Sequence, residues 1–309
     1  MKLDKLKMLL QRIIPGADST RPTPQNKAGG EEEYKTWVPL GHFYSPFPDI
    51  EQIRKREAQI WGKLPETISG IDLYREDQLK LLDKFASYYA AQPFKDDKQE
   101  GLRYYFVNPS YSYADAFFLY CMIRHLKPKR LIEVGSGYSS CASLDTNELF
   151  LNSQMAFTFV EPFPENLLSL TTRKDKASMK LIPRNIQDVD LGVFSELQAN
   201  DILFIDSTHV SKTDSDVNYI FFELLPSLNK GVYIHFHDIF YPFEYPKDWV
   251  YEGRGWSEAY VLRAFLQFNK DFKIVFFSGF LFSFYKDIIA RTMPLCLKNA
   301  GGCIWIKKC

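Results

Sequence analysis

The chain has 309 residues, is 46% hydrophobic and 16% aromatic, and balances 38 basic against 38 acidic side chains. That length and apolar content suffice for a sizeable core in one large domain or two small ones, and they exclude a disordered or fibrous chain. The zero formal charge excludes a global field that would draw the protein to nucleic acid or an anionic membrane, so charged partners are met locally.

The first stretch, "MKLDKLKMLLQRII", mixes charge with apolar residues and lacks the unbroken apolar core of a signal peptide. Leu3, Leu6, Leu10, Ile13 and Ile14 share one helical face, with Lys2, Lys5 and Arg12 elsewhere. Such a helix is expected to pack on its own domain, with docking on a membrane surface or a partner as the alternative. Residues 15–33 are rich in Pro, Gly and small polar side chains and read as a linker. No run approaches a membrane span. Cys121, Cys141, Cys296, Cys303 and Cys309 show no metal spacing and suit free thiols, so a cytoplasmic protein is expected.

Residues 34–100 hold the aromatic run "WVPLGHFYSPFPD" and helical patterns in "IEQIRKREAQIWGKL" and "QLKLLDKFASYYAA". No strand–helix–strand alternation appears there, which predicts a helical N-terminal extension or cap. From residue 101 helix and strand periods alternate, the signature of a doubly wound α/β sheet. A helix carrying Ala114, Phe117, Phe118, Cys121, Met122 and Leu126 leads into the strand "RLIEV". Further strands are "MAFTFVE", "SMKLI", "DILFID" and "GVYIHF". Between the last two, Val217, Ile220, Phe221, Leu224, Leu225 and Leu228 predict a crossover helix, with Thr213 and Asp216 near its start. Beyond Trp256 come a helix, the strand "FKIVFF", one helix over Leu281 to Thr292, and the strand "CIWIK".

"LIEVGSGYSS" is a strand running into a turn with Gly135 and Gly137, and Ser139 or Ser140 is the expected helix N-cap. Glycines there let a ligand approach the backbone, and the helix N-terminus offers N–H groups to it. Glu161, at the end of the next strand, can accept two hydrogen bonds from a ribose diol. A dinucleotide fingerprint would want a third glycine where Ser140 stands, which counts against pyrophosphate.

With these residues the sequence resembles the class I S-adenosylmethionine (SAM) dependent methyltransferases over roughly residues 100–309. "EVGSGYSS" looks like their first motif, with Glu133, Gly135, Gly137 and Ser139 as cofactor contacts, Ser139 replacing a frequent third glycine. Glu161 resembles the ribose-binding acid, "NIQDVD" with Gln187 and Asp188 the adenine side, and "DILFIDSTHV" the fourth motif. The resemblance implies SAM as cofactor and a Rossmann-like sheet whose final strand is inserted antiparallel beside the sixth.

Asp206, His209, His237 and Asp238 follow the ends of two strands that a parallel sheet would bring to the same edge as the glycine turn. Metal-dependent O-methyltransferases of the catechol and macrolide-sugar types use similar places. That likeness implies Asp206, His237 and Asp238 as ligands of a divalent cation, magnesium or manganese, although a histidine at 237 pulls towards a softer ion or none. It implies His209 as general base with Asp238 beside it. His235 is expected to be a core histidine pointing away from the neighbours of His237. The aromatic loop Tyr241 to Trp256 suits a glycan or polyol ring, so the expected acceptor is a hydroxyl of a small molecule or glycan. A nicotinamide-dependent oxidoreductase and a SAM-binding scaffold without catalysis are the alternatives.

Overall fold

A computed structural model describes residues 36–309. The expected N-terminal amphipathic helix and the linker through Glu33 lie outside the described residues. Two compact units divide the chain after Asp49. In the first, the described residues form turns in which Trp37 stacks on Tyr44 at 5.3 Å.

The second unit is built on a seven-stranded sheet: β1 (Arg130–Val134), β2 (Ala156–Val160), β3 (Lys180–Ile182), β4 (Ile202–Ile205), β5 (Tyr233–His237), β6 (Phe272–Phe277) and β7 (Cys303–Lys308). Their order is β3-β2-β1-β4-β5-β7-β6. The first five strands pair in parallel, and β7 lies antiparallel to both β5 and β6. The apolar runs explain the centre: β4 is buried at every residue, as a parallel strand covered on both faces must be.

Helices cover both faces. Tyr113–Leu126 is buried without interruption from Ala114 to Ile123, more than its single predicted stripe, because a second layer lies over it. Phe85 of the Arg75–Ala86 helix stacks on Phe118 at 6.2 Å, and Tyr89 meets Phe117 edge-on at 5.5 Å. The same outer helix reaches the sheet through Gln78, whose side-chain oxygen accepts the Phe277 N–H at 2.7 Å.

Three elements depart from the sequence reading. "IEQIRKREAQIWGKL" forms two short helices, Ile50–Lys55 and Glu57–Ile60. The crossover helix starts at Asp216, as expected, and is capped by Ser215, whose hydroxyl accepts the Asn218 N–H. It widens into a π turn over Ile220–Leu224 just before Pro226, which has no N–H to return to the preceding turn. The helix expected over Leu281 to Thr292 is two, Ser278–Phe284 and Lys286–Thr292, broken at Tyr285 where φ is −132°.

A buried ionic clasp ties the entry of the sheet domain to its helices. Arg103 donates to Asp145 at 2.6 Å and through two nitrogens to Asp175 at 2.8 and 2.7 Å. Asp145 also accepts the backbone N–H groups of Arg103 and Tyr104. Glu148 takes a further guanidinium bond at 2.8 Å.

Candidate active site

Sheet order makes β1 and β4 neighbours, although β2 and β3 intervene in the chain, and ligands of open α/β sheets bind at such a switch point outside the carboxyl ends of the strands. Val134 pairs with Ile205, so Gly135 emerges beside Asp206. Its φ is +80°, and a Cβ there would stand 1.9 Å from the Asp206 carbonyl oxygen. Only glycine meets both demands. Gly137 is less constrained, with Asn166 Nδ2 at 3.2 Å from a built Cβ.

Glu161 leaves β2 and reaches across this turn. Its carboxylate accepts the Ser136 N–H at 3.1 Å and the Phe163 N–H at 2.8 Å. Beneath the turn Glu133 is wholly buried, and both Ser139 and Ser140 donate hydroxyls to it, the latter at 2.9 Å. Gly137 holds the N-cap position, so the two serines lock helix to strand where a cap had been expected. Burial raises the Glu133 carboxyl to about 8 despite these bonds. Gln187 lies in the short turn after β3 and donates to the Asp214 carbonyl at 2.6 Å, while Asp188 beside it is exposed.

On the other side of the switch point Ile205 pairs with Phe236, so Asp206 and His237 leave the sheet side by side. Asp206, His209 and Asp238 converge: one ligand atom from each lies within 4.8 Å of the others. His209 Nε2 stands 3.3 Å from Asp206 and 3.8 Å from Asp238. His237 is close, with Nε2 3.6 Å from Asp238, but it is not a member of this triplet, and its Nδ1 is buried without a partner. His235 does not point away as expected: it lies with His237 on the same face of β5, as a two-residue period demands. Their rings stack at 6.0 Å. His235 is a core residue, pressed on Phe204 at 4.1 Å and Trp305 at 4.7 Å, yet neither ring nitrogen has a partner.

The electrostatics separate these groups. Burial opposes ionisation of Asp206, but His237 and His209 prevail and hold it down to about 2. Burial disfavours charge on His209 as well, yet Asp206 and Glu258 lift it to about 10. The two acids thereby favour its protonated form. Asp238 moves the other way: burial pushes its carboxyl up against the pull of His237 and His209. It is the more basic of the two acids.

Two neighbours, Glu258 and Asp115, carried no signal in the sequence reading, and a third, Trp256, was read only as the end of the aromatic loop. Glu258 opens the Glu258–Leu266 helix, and its carboxylate holds His209 Nδ1 at 2.8 Å. The Trp256 ring lies 4.4 Å from that of His209. Asp115, on the buried helix, is raised to about 7 by burial and feels His237. An acid at the first position of a helix looks like a complement to the helix dipole, and its partner lies 49 residues away.

A seven-stranded sheet with one antiparallel strand between the fifth and sixth, a glycine turn at the switch point and an acid after β2 define a SAM-dependent methyltransferase. A family model described as a methyltransferase domain matches residues 132–239. An uncharacterized protein of Archaeoglobus fulgidus is 35% identical over 165 residues, covering 52% of this chain and 74% of that protein. The chain belongs to the class I SAM-dependent methyltransferases. Solved structures similar to it include an S-adenosylhomocysteine-bound methyltransferase of Podospora anserina, 14% identical, covering 89% of this chain and 99% of the other at a TM-score of 0.40. Another is a SAM-bound O-methyltransferase of Streptomyces achromogenes involved in tomaymycin synthesis, 15% identical, covering 77% and 95% at a TM-score of 0.41.

Proposed function

We propose that the enzyme methylates a hydroxyl oxygen of a small molecule or glycan. The glycine turn would hold SAM, Glu161 accepting from its ribose, Gly135 and Gly137 admitting it to the backbone, and Gln187 and Asp188 serving the adenine side. The supporting observation is contact between two halves: the turn touches Asp206 at Gly135, and Asp206 belongs to the Asp206, His209 and Asp238 triplet.

Methyl transfer from a sulfonium is a direct displacement, so the protein's tasks are alignment of the acceptor and removal of its proton. Two carboxylates and an imidazole that converge within 4.8 Å fit a small divalent ion such as magnesium or manganese. When bound, such a cation acidifies a coordinated hydroxyl, as zinc takes bound water from ~16 to ~7. In this reading His209 is a ligand, displacing the His237 of the sequence expectation. A histidine that gives its Nε2 lone pair to a cation and its Nδ1 hydrogen to Glu258 has no lone pair left to act as a base. Asp238 lends one carboxylate oxygen to the triplet, and its second oxygen takes the acceptor's proton.

Aromatic side chains flank the triplet on the acceptor side. Trp249 meets Trp256 edge-on at 5.1 Å, and the Arg254 guanidinium lies 4.0 Å over Trp249. The loop is held in place: Trp61 donates its indole N–H to the Tyr245 carbonyl at 2.9 Å, and Tyr241 donates to the Pro65 carbonyl at 2.6 Å. A ring-shaped acceptor suits such walls.

The test is Asp238→Asn. SAM affinity by calorimetry is expected to stay within a few-fold, while methyl transfer to the acceptor falls by about a thousandfold, within the range a positioned base supplies. Undiminished transfer overturns the reading.

A further inference from the structure

Glu258 differs from the other buried acids. Both oxygens of Asp145 are engaged by hydrogen bonds, and Glu133 is satisfied by two serines. Glu258, fully buried, spends one oxygen on His209 Nδ1 at 2.8 Å and leaves Oε1 without a partner. A carboxylate kept only for stability would not be left so, because an unmet buried acceptor costs about 1–3 kcal/mol.

Everything around it fixes His209. The backbone of His209 is left-handed, with φ +61°, a cost that persists only where surroundings enforce it. Its carbonyl accepts the N–H groups of Ser257 at 2.9 Å and Glu258 at 3.1 Å, so the start of the Glu258–Leu266 helix seats on the histidine's own backbone. Ser257 Oγ accepts the Ser211 N–H at 2.8 Å, pinning the loop two residues on. Trp256 closes over the imidazole.

We infer that Glu258 is a positioning residue: by holding the Nδ1 hydrogen of His209 it aims Nε2 at the point shared by Asp206 and Asp238, in a carboxylate–histidine–cation arrangement. This rests on the proposed cation site. Outer carboxylates of this kind fix the ring and its tautomer, and their loss typically weakens a metal site about 10–100-fold. The tripeptide Trp256–Ser257–Glu258 is thus one device that covers, seats and orients a single imidazole.

The experiment combines two readouts on the full chain. Manganese binding is followed by electron paramagnetic resonance, and ring-labelled histidine NMR, assigned with His209→Gln, follows the Nδ1–H proton. Glu258→Ala is expected to weaken manganese binding about 10–100-fold and to abolish the downfield Nδ1–H resonance, with SAM affinity within twofold of the parent. Glu258→Gln keeps an acceptor for that hydrogen and is expected to restore most of the affinity and to retain a resonance shifted upfield. It also decides the matter should the alanine variant not fold. A parent that binds no manganese overturns the cation reading, while loss of the resonance in Glu258→Ala still supports the orienting role. An unchanged resonance and unchanged manganese affinity in both variants overturn the inference.

Discussion

Two clusters of buried charge, one around Arg103 and one around His209, use the same ingredients and reach opposite ends. Arg103 faces Asp145, Asp175 and Glu148 at 2.6 to 2.8 Å, and Thr172 donates its N–H and hydroxyl to Asp175 to complete a helix cap. His209 faces Glu258, Asp206 and Asp238 at 2.8, 3.3 and 3.8 Å. The first set is bonded to saturation, whereas the second opens progressively from a tight outer contact to a loose inner one. Saturation marks a clasp, and the looser set is the one proposed to take a cation.

The sharpest way to break this contrast is at Arg103. Arg103→Met removes the cation and strands three carboxylates, two of them buried. Breaking a buried pair from one side costs about 3–5 kcal/mol. Denaturant unfolding should show that loss, while SAM affinity of the folded fraction stays unchanged. Weakened SAM binding without loss of stability would reverse the roles of the two clusters.

Glu161 tests the cofactor half. Charge-assisted hydrogen bonds to a ribose contribute about 1.5–3 kcal/mol, so Glu161→Ala is expected to raise the SAM dissociation constant about 10–100-fold by calorimetry. Its two backbone bonds, from Ser136 and Phe163, are half-buried and exposed respectively, and the melting temperature should shift by only a few degrees.

A smaller effect separates the clusters by pH. The His209 imidazole is raised from 6.5 to about 10, so its share of stability is full below pH 6.5 and lost as pH rises through about 10. Asp206, lowered from 3.8 to about 2, contributes above pH 3.8 and loses its share as pH falls through about 2. His209→Gln should therefore flatten the alkaline limb of the stability profile. The Arg103 clasp adds nothing to that limb, because its carboxylates outweigh burial and hold the guanidinium above its ordinary value. An alkaline limb that survives His209→Gln would show that the imidazole is not the group responsible.

How much of this was legible in the sequence follows from the range of the signals. Strands β1, β2, β4, β5, β6 and β7 announce themselves as apolar runs, and the resemblance supplied the antiparallel position of β7. Asp206, His209 and Asp238 stood out because strand ends converge in a parallel sheet. The fate of Ser139 and Ser140 did not: a serine after a glycine turn reads as a cap, and only the buried Glu133 beneath shows the other use. The choice between His209 and His237 as third member of the triplet depends on side-chain direction after the strand, which the left-handed backbone at His209 and Asp238 sets and no periodicity encodes. Glu258 was hidden for the same reason, since its meaning lies in a contact across the fold.

The most direct test of the central claim is a side-by-side measurement of SAM affinity, unfolding free energy and methyl transfer in Asp238→Asn and Arg103→Met. The account predicts a double dissociation: Asp238→Asn folds and binds SAM but fails to transfer the methyl group, while Arg103→Met unfolds readily yet transfers it at near-parent rate when folded. If Asp238→Asn transfers as well as the parent protein, the open cluster is not the methyl-transfer centre.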